Sequence, residues 1–246
     1  ARRLSRPRGP QAWTCASSID RMATPSMDPG LASGRAGALV SRQGVLAVLA
    51  NPWTRRLIFA MCLLPALMLV AGAALERLGA NPAQYLTRAT GDWTLRMLCL
   101  TLAVTPLRVG LGLPPLARWR RMLGLYVFFY AVLHLLCYAW FDMGFDWADI
   151  ARDIPKRPFV LLGFAAFVLL VPLALTSLDR MVRALGAKRW RALHRSVYGI
   201  AVLVVLHFLW LRAGKNDFAE PAIYGAVLGA LLAWRIKDRW GRRRAG

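Results

Sequence analysis

The sequence is short of acidic residues and of charged residues in general. Asp and Glu number 12 against 33 Lys and Arg, and only 18% of the 246 residues are charged. Soluble domains average about a quarter charged residues. Hydrophobic residues make up 57% of the chain, and much of the charge falls between long apolar runs. This composition argues against a soluble domain and favours a membrane protein.

The formal net charge of +21 raises a nucleic-acid-binding alternative. DNA-binding domains concentrate basic residues on one face of a soluble fold. Here the basic residues stand at the ends of apolar segments, where they would meet lipid headgroups. We therefore interpret the charge as setting membrane topology, and we expect no nucleic-acid partner.

Two chemical signatures are also missing. The four cysteines, Cys15, Cys62, Cys99 and Cys137, show no CxxC spacing, and three lie in apolar runs, where cysteine packs as a small hydrophobic residue. No G-x-G-x-x-G fingerprint follows the last apolar segment. We expect neither a disulfide nor a cysteine metal site, and we do not expect the chain to oxidise NAD(P)H by itself.

The first fifty-two residues differ in composition from the remainder. Residues 1–52 are rich in Arg, Ser, Pro and Gly and contain only two acids. Their apolar stretch, Val45–Ala50, is too short for a signal-peptide core or a membrane span. We predict a disordered basic N-terminal extension over this range.

Six apolar segments follow, and we predict that each crosses the membrane. A span needs about 20 residues, so the last two segments must include flanking residues. Backbone polar groups in lipid must be satisfied internally, which makes each segment a helix. The predicted fold is an all-α membrane protein, a six-transmembrane-helix bundle over residues 53–240, with a basic cytoplasmic tail at 241–246. The segments are Leu57–Leu75, Trp93–Leu113, Met122–Phe141, Phe159–Leu178, Ser196–Leu211 and Ala222–Ile236.

The loops on the two predicted sides differ in charge. Arg108–Arg121, Asp179–Arg191 and the tail from Arg235 together hold 15 Lys and Arg, against 7 in the opposite connections. The opposite set also holds eight of the twelve acids. Because basic loops stay in the cytoplasm, we predict that both termini are cytoplasmic in a multi-pass protein of the bacterial inner membrane.

Two of the three histidines fall at similar predicted depth. His134 follows Arg121 by thirteen residues, about 20 Å of helix, and His207 follows Arg191 by sixteen, about 24 Å. With a hydrocarbon core about 30 Å thick, both lie in its outer half. Two imidazoles at one depth on different helices suit a bis-histidine heme iron. The alternative is packing, which the apolar sequence neighbours of His207 argue against.

The third histidine, His194, belongs near the cytoplasmic face. Thirteen residues separate it from His207, about 20 Å along a helix, so one iron cannot bind both. His194 therefore either serves a second heme or packs locally, and the two interpretations stay open.

Heme propionates need cationic partners near the membrane surface. Arg96, in the second apolar segment, is our first candidate, and snorkelling to the headgroups is its alternative. Arg157 and Arg212 are predicted on the same side, where they would serve equally well as loop charges.

Five stretches carry a family resemblance: NPAQYLTRATGDW (81–93), TLAVTPLR (101–108), RRMLGLYVFFYAVLHLLCYA (120–139), KRPFVLLG (156–163) and LTSLDRMVRALGAKRWRALHRSVYGIAVLVVLHFLW (175–210). They resemble the ferric-reductase-like transmembrane family, in particular the heme-binding subunits of periplasmic protein-methionine-sulfoxide reductase systems. The likeness runs from about Trp53 to Trp240.

The resemblance implies an electron-transfer subunit, which is not an enzyme on its own. Such a subunit takes electrons from the membrane quinone pool or a cytosolic flavin reductase. It passes them through heme b to a periplasmic molybdopterin subunit that reduces methionine sulfoxide in oxidised proteins. An FMN group is also implied, and the family's heme histidines fall on His134, His194 and His207.

One departure limits the expected heme count. Related NADPH oxidases carry four such histidines, and this chain has Arg121 where the fourth is expected. One heme is therefore expected, with a second as an alternative. Other interpretations are a cytochrome b subunit of another dehydrogenase, a ferric reductase, or a small transporter or scaffold with structural histidines. The last is disfavoured because inverted repeats and paired intramembrane acids are not evident.

Overall fold

The computed structural model describes residues 43–214 and 216–244, except for the side chains of Arg242 and Arg243. Most of the predicted N-terminal extension, residues 1–42, lies outside the described residues. Its last part is described, and residues 43–50 form a helix, α1. The predicted tail is described as far as residue 244, where it continues the last helix.

The described residues are helices joined by short connections, in agreement with the predicted all-α class. The six predicted apolar segments each fall largely within one of these helices. The longer helices after α1 are α2 (Pro52–Ala74), α3 (Pro82–Gly110), α4 (Ala117–Cys137), α5 (Trp147–Lys156), α6 (Pro158–Leu175), α7 (Asp179–Leu193), α8 (Val197–Ala213) and α9 (Ala219–Arg244).

Two of these helices begin with the same N-cap, an asparagine followed by a proline. Asn51 precedes α2, and its side-chain oxygen accepts a hydrogen bond from the backbone N–H of Trp53 at 2.9 Å. Asn81 precedes α3 and accepts from the N–H of Gln84 at 3.0 Å. Each Asn is followed by a proline at the first helical position, where the missing N–H costs nothing.

Four stretches of helix in the described part of the chain are long and apolar enough to cross a membrane. They are Pro52–Ala74, Pro114–Asp142, Pro158–Leu175 and Asp179–Ala213. This confirms a multi-pass, all-helical membrane protein. The helices α3 and α9 fall outside this group, and both carry several charged residues. Their membrane crossing, the count of six spans and the cytoplasmic termini stay predictions.

The connection predicted between the fourth and fifth spans is itself helical. Helix α7 occupies Asp179–Leu193, with a break at Gly186, whose φ of 72° interrupts the helix. Such a left-handed φ suits glycine because it has no Cβ. At the start of α7, Asp179 forms an ion pair with Arg121 of α4, which ties this connection to the bundle.

The core lies where α3, α4, α6, α8 and α9 meet. Helix α3 packs along α4 and also contacts α9, while α6 packs along α8. The largest fully buried side chains in this core are Leu98, Leu102, Tyr130, Ile200 and Leu228. By contrast, α2 exposes many apolar side chains on its outer face, as expected for a surface covered by lipid.

Tyr130 of α4 anchors that helix to α2. Its hydroxyl donates to the carbonyl oxygen of Cys62 at 2.7 Å and accepts from the N–H of Ala66 at 3.2 Å. These backbone groups flank Pro65, which lies inside α2 and has no N–H to donate. The hydroxyl thus inserts between a backbone N–H and a carbonyl of α2 beside a proline. Tyr130 lies one turn before His134 on α4.

Candidate functional site

The structure brings His134 and His207 together. His134 lies in the last turn of α4 and His207 lies within α8. Their ring centroids are 6.3 Å apart, and the ring planes are inclined at 78°. Both histidines are half-buried. The two side chains that the sequence places at similar depth in the membrane are therefore neighbours in the fold.

Each of the two rings is held by a backbone carbonyl of a further helix. The Nδ1 atom of His134 lies 2.8 Å from the carbonyl oxygen of Thr87 on α3. The Nδ1 atom of His207 lies 2.6 Å from that of Phe159 on α6. A carbonyl only accepts, so in each ring Nδ1 donates and Nε2 keeps a lone pair.

This tautomer suits metal ligation through Nε2, because a bound metal takes the lone pair while the opposite N–H is held by an acceptor. Within the described residues, neither Nε2 atom has a hydrogen-bond partner. The two carbonyls thus fix the orientation of both rings and leave each Nε2 available.

A cavity of about 660 Å³ surrounds the pair. Ligand pockets usually measure roughly 300–1,000 Å³ and have mainly apolar walls with a few polar groups. The walls here are largely aliphatic and aromatic. The polar and charged side chains that line the cavity besides the histidines include Arg88, Asp92, Tyr138, Asp142 and Arg212.

The residues present fit a heme. A metal–imidazole bond is about 2.0–2.1 Å long, so two imidazoles that bound one metal from opposite sides would have centroids about 6.4 Å apart, close to the 6.3 Å between His134 and His207. In the described part of the chain, no group of three or more His, Cys, Asp or Glu could hold a bare metal ion. Two imidazoles without further protein ligands would suit an iron whose remaining ligands come from a porphyrin.

His194 lies apart from this pair. It occupies a short 3-10 turn, His194–Ser196, just before α8. Its ring stacks on Trp190 with centroids 4.0 Å apart, and its Nδ1 lies 3.1 Å from the Trp190 carbonyl oxygen. It also interacts with the backbone of Leu173. These local partners are compatible with either predicted role, a second heme or packing.

The three predicted propionate partners occupy different places. Arg212 lines the histidine cavity, where Asp217, at 2.8 Å, and Glu220 hold its guanidinium. Arg157 pairs with Asp153 at 2.9 Å and is not among the cavity-lining residues. Arg96 lies over the Trp93 ring at 4.7 Å and lines a second cavity. The structure brings only Arg212 to the histidine pair.

Three residues of this site were missed by sequence reasoning. Arg88 of α3 lines the cavity, and its exposed side chain forms no ion pair within the described residues. Gly91 and Gly163 face the two histidine rings. The sequence indicates these residues only weakly. An isolated glycine inside a helical pattern often marks close packing, and Arg88 lies one turn before such a glycine, Gly91.

A second cavity of about 730 Å³ lies between α2 and α3. Its α2 wall is apolar and includes Met61 and Met68, which are exposed on the outside of the bundle. Its α3 wall is polar and includes Arg88 and Asp92, which also line the histidine cavity. The two cavities therefore adjoin along α3.

The sequence of the chain matches a known protein family. A family model described as ferric reductase like transmembrane component matches residues 90–205, a range that contains His134 and His194 and ends just before His207. No solved structure is significantly similar to the chain.

Three relatives share the name protein-methionine-sulfoxide reductase heme-binding subunit MsrQ. The relative from Polaromonas naphthalenivorans (strain CJ2) is 60% identical over 196 residues, covering 80% of this chain and 90% of its own length. That from Ralstonia nicotianae is 53% identical, covering 77% and 87%. That from Herminiimonas arsenicoxydans is 50% identical, with the same coverage.

Proposed function

The chain belongs to the MsrQ family of heme-binding subunits of protein-methionine-sulfoxide reductases, and we propose that it holds one heme b between His134 and His207 and passes electrons through it to a reductase partner. The observation that carries the proposal is the matched pair of imidazoles. Their centroids are 6.3 Å apart, and each Nδ1 is held by a backbone carbonyl.

Bound heme iron would supply a one-electron carrier that alternates between its ferric and ferrous forms. The protein's own residues would bind and orient it. His134 and His207 would hold the iron through Nε2, and their carbonyl partners keep each Nδ1 protonated and each ring in place. The largely apolar walls of the cavity would limit the access of water to the bound group.

Two arginines supply the propionate partners in this proposal. Arg88 and Arg212 line the cavity that contains the histidines, and a guanidinium binds a carboxylate with charge-assisted hydrogen bonds. Arg88 is the stronger candidate, because Asp217 and Glu220 already bind the guanidinium of Arg212. In this proposal Arg96 packs on the Trp93 ring, and Arg157 forms an ion pair with Asp153.

The electron donor in the proposal is a quinol from the membrane, with a cytosolic flavin reductase as the alternative. The cavity between α2 and α3 supports a quinol. Its apolar wall is on a membrane-spanning helix, its polar wall includes Asp92, and it adjoins the histidine cavity. The proposal also allows an FMN group and a second heme at His194. Both are supported mainly by the family resemblance.

The acceptor in the proposal is a periplasmic molybdopterin subunit that reduces methionine sulfoxide in oxidised proteins. The support comes from the relatives' name and from the chain's own surface beside α5. Trp140 and Trp147 are largely exposed there, near the acidic residues Asp146 and Asp149. We place this surface on the periplasmic side of the bacterial inner membrane, with both termini in the cytoplasm.

A visible spectrum of protein purified from heme-replete cells tests the proposal. We expect a b-type spectrum that changes on dithionite reduction, and a pyridine hemochrome assay that gives about one heme per chain. Colourless, heme-free protein would contradict the proposal. Copurification with a periplasmic molybdoenzyme then separates this role from that of a ferric reductase or of a cytochrome b for another dehydrogenase.

A further inference from the structure

Each histidine of the pair lies against a glycine of the neighbouring helix that also supplies its carbonyl partner. A Cβ atom built on Gly91 of α3 would lie 3.1 Å from Cε1 and 3.2 Å from Nδ1 of His134. A Cβ atom on Gly163 of α6 would lie 2.8 Å from Nδ1 and 2.9 Å from Cε1 of His207. A Cβ atom at Gly163 would displace the His207 ring, and a Cβ atom at Gly91 would require the His134 ring to shift by a few tenths of an ångström.

The two contacts repeat one local arrangement. His134 rests on Gly91 and bonds to the carbonyl of Thr87, four residues earlier on α3. His207 rests on Gly163 and bonds to the carbonyl of Phe159, also four residues earlier, on α6. Residues four apart lie above one another on one face of a helix. The missing Cβ therefore lets the ring reach the carbonyl of the preceding turn.

We propose that Gly91 and Gly163 are positioning residues that set the orientation and the Nδ1 hydrogen bond of the two heme ligands. This inference rests on the proposed function, because it assigns the two rings to a heme. The glycines do not touch the iron. They act through the imidazoles, by leaving space in which each ring can contact the helix backbone.

Glycines on the two helices that carry the histidines do not share this closeness, whereas a Cβ on Gly72 of α2 would lie 2.6 Å from the flexible end of the Leu78 side chain. A Cβ on Gly124 of α4 would lie 3.8 Å from a methyl carbon of Thr101, which is ordinary contact. A Cβ on Gly199 of α8 would have nothing within 4 Å. Gly124 shares its helix with His134 and Gly199 shares its helix with His207, so these two positions are matched controls.

The effect on the heme follows from the hydrogen bond. A carbonyl that accepts from Nδ1–H makes the opposite nitrogen a more basic ligand, and loss of such a partner typically costs about 10–100-fold in metal affinity. A more basic ligand stabilises ferric iron. Alanine at either glycine should therefore weaken heme retention by about 10–100-fold and shift the reduction potential to more positive values.

The experiment compares purified full-length Gly91→Ala and Gly163→Ala proteins with Gly124→Ala and Gly199→Ala. The readouts are heme retention, the reduction potential and the low-spin ferric EPR spectrum, which responds to the angle between the imidazole planes. We expect all three to change in the first two variants and to stay as in the unsubstituted protein in the controls. Unchanged spectra and potentials in Gly91→Ala and Gly163→Ala, or equal changes in the controls, would overturn the inference.

A second comparison covers the case in which an alanine variant folds poorly. In His134→Gly protein the ring is gone, so adding Gly91→Ala should cost no further thermal stability, whereas Gly91→Ala alone should destabilise the apoprotein. Equal costs in the two backgrounds would overturn the inference. Because this comparison needs no heme, it also separates a failure of the inference from a failure of the proposed function, which heme-free unsubstituted protein would reveal.

Discussion

His134 and His207 come from helices separated by about sixty residues of sequence, yet their ring centroids are 6.3 Å apart. Each ring is further held by a carbonyl from a different helix, α3 for His134 and α6 for His207. Four helices therefore fix one pair of imidazoles. An arrangement of this kind holds its ligands ready before a cofactor binds.

The first prediction concerns these ligands. His134→Ala and His207→Ala should each lose the heme that we propose the pair to hold, because one imidazole alone would leave the iron with one protein ligand fewer. The pyridine hemochrome assay measures the loss. A full heme complement in both variants, together with complete loss in His194→Ala, would show that the pairing is wrong.

The second prediction concerns Arg88. Arg88→Ala should shift the heme reduction potential to more negative values, because a nearby cation favours the form that carries an additional electron. Arg88 is exposed, so its effect on heme binding should be about 1 kcal/mol or less. Potentiometric titration of the purified protein measures the shift.

Arg96→Ala is the matched control for Arg88, since Arg96 lies on the same helix and lines only the second cavity. A potential that falls in Arg96→Ala and not in Arg88→Ala would reverse the assignment of the propionate partner.

The third prediction concerns Tyr130, whose hydroxyl binds α2 beside Pro65. Tyr130→Phe should lower the free energy of unfolding by about 1–3 kcal/mol, because a buried carbonyl loses its additional donor. Thermal unfolding in detergent measures the loss. Tyr85→Phe, at an exposed position, should leave stability unchanged, and an equal loss in both variants would contradict a specific role for the Tyr130 hydroxyl.

The fourth prediction concerns the proposed donor site between α2 and α3. Met68→Trp should fill this cavity and slow heme reduction by a short-chain quinol in proteoliposomes. Asp92→Asn should also slow it, because a carboxylate that accepts the quinol proton is lost. Reduction by dithionite should stay unchanged in both variants. Unchanged rates with the quinol would favour a cytosolic flavin reductase as donor.

Much of the site was predictable from the sequence because the membrane limits where a residue can lie. Counting from Arg121 and Arg191 gave similar depths for His134 and His207, and depth alone restricts which side chains can meet. The same count separated His194 from the pair. The apolar segments likewise predicted where the helices lie, because lipid permits no other spanning structure for such runs.

The supporting contacts were not predictable in the same way. Every residue has a carbonyl, so nothing in the sequence marks Thr87 or Phe159 as an acceptor. Arg88 and Arg96 are eight residues apart, about 12 Å of rise on one helix. Choosing between them requires the rotation of α3 relative to its neighbours, which is set by packing. The role of Gly91 and Gly163 follows from the histidine rings that lie against them, and these contacts are visible only in the structure.

The most direct test of the central claim is the low-temperature EPR spectrum of ferric His194→Ala protein, purified with its heme. This variant removes the third histidine and leaves only His134 and His207 as imidazole ligands. We expect about one heme per chain with a low-spin signal, as two imidazole ligands would give. A high-spin signal, or protein without heme, would contradict the claim that this pair holds the heme.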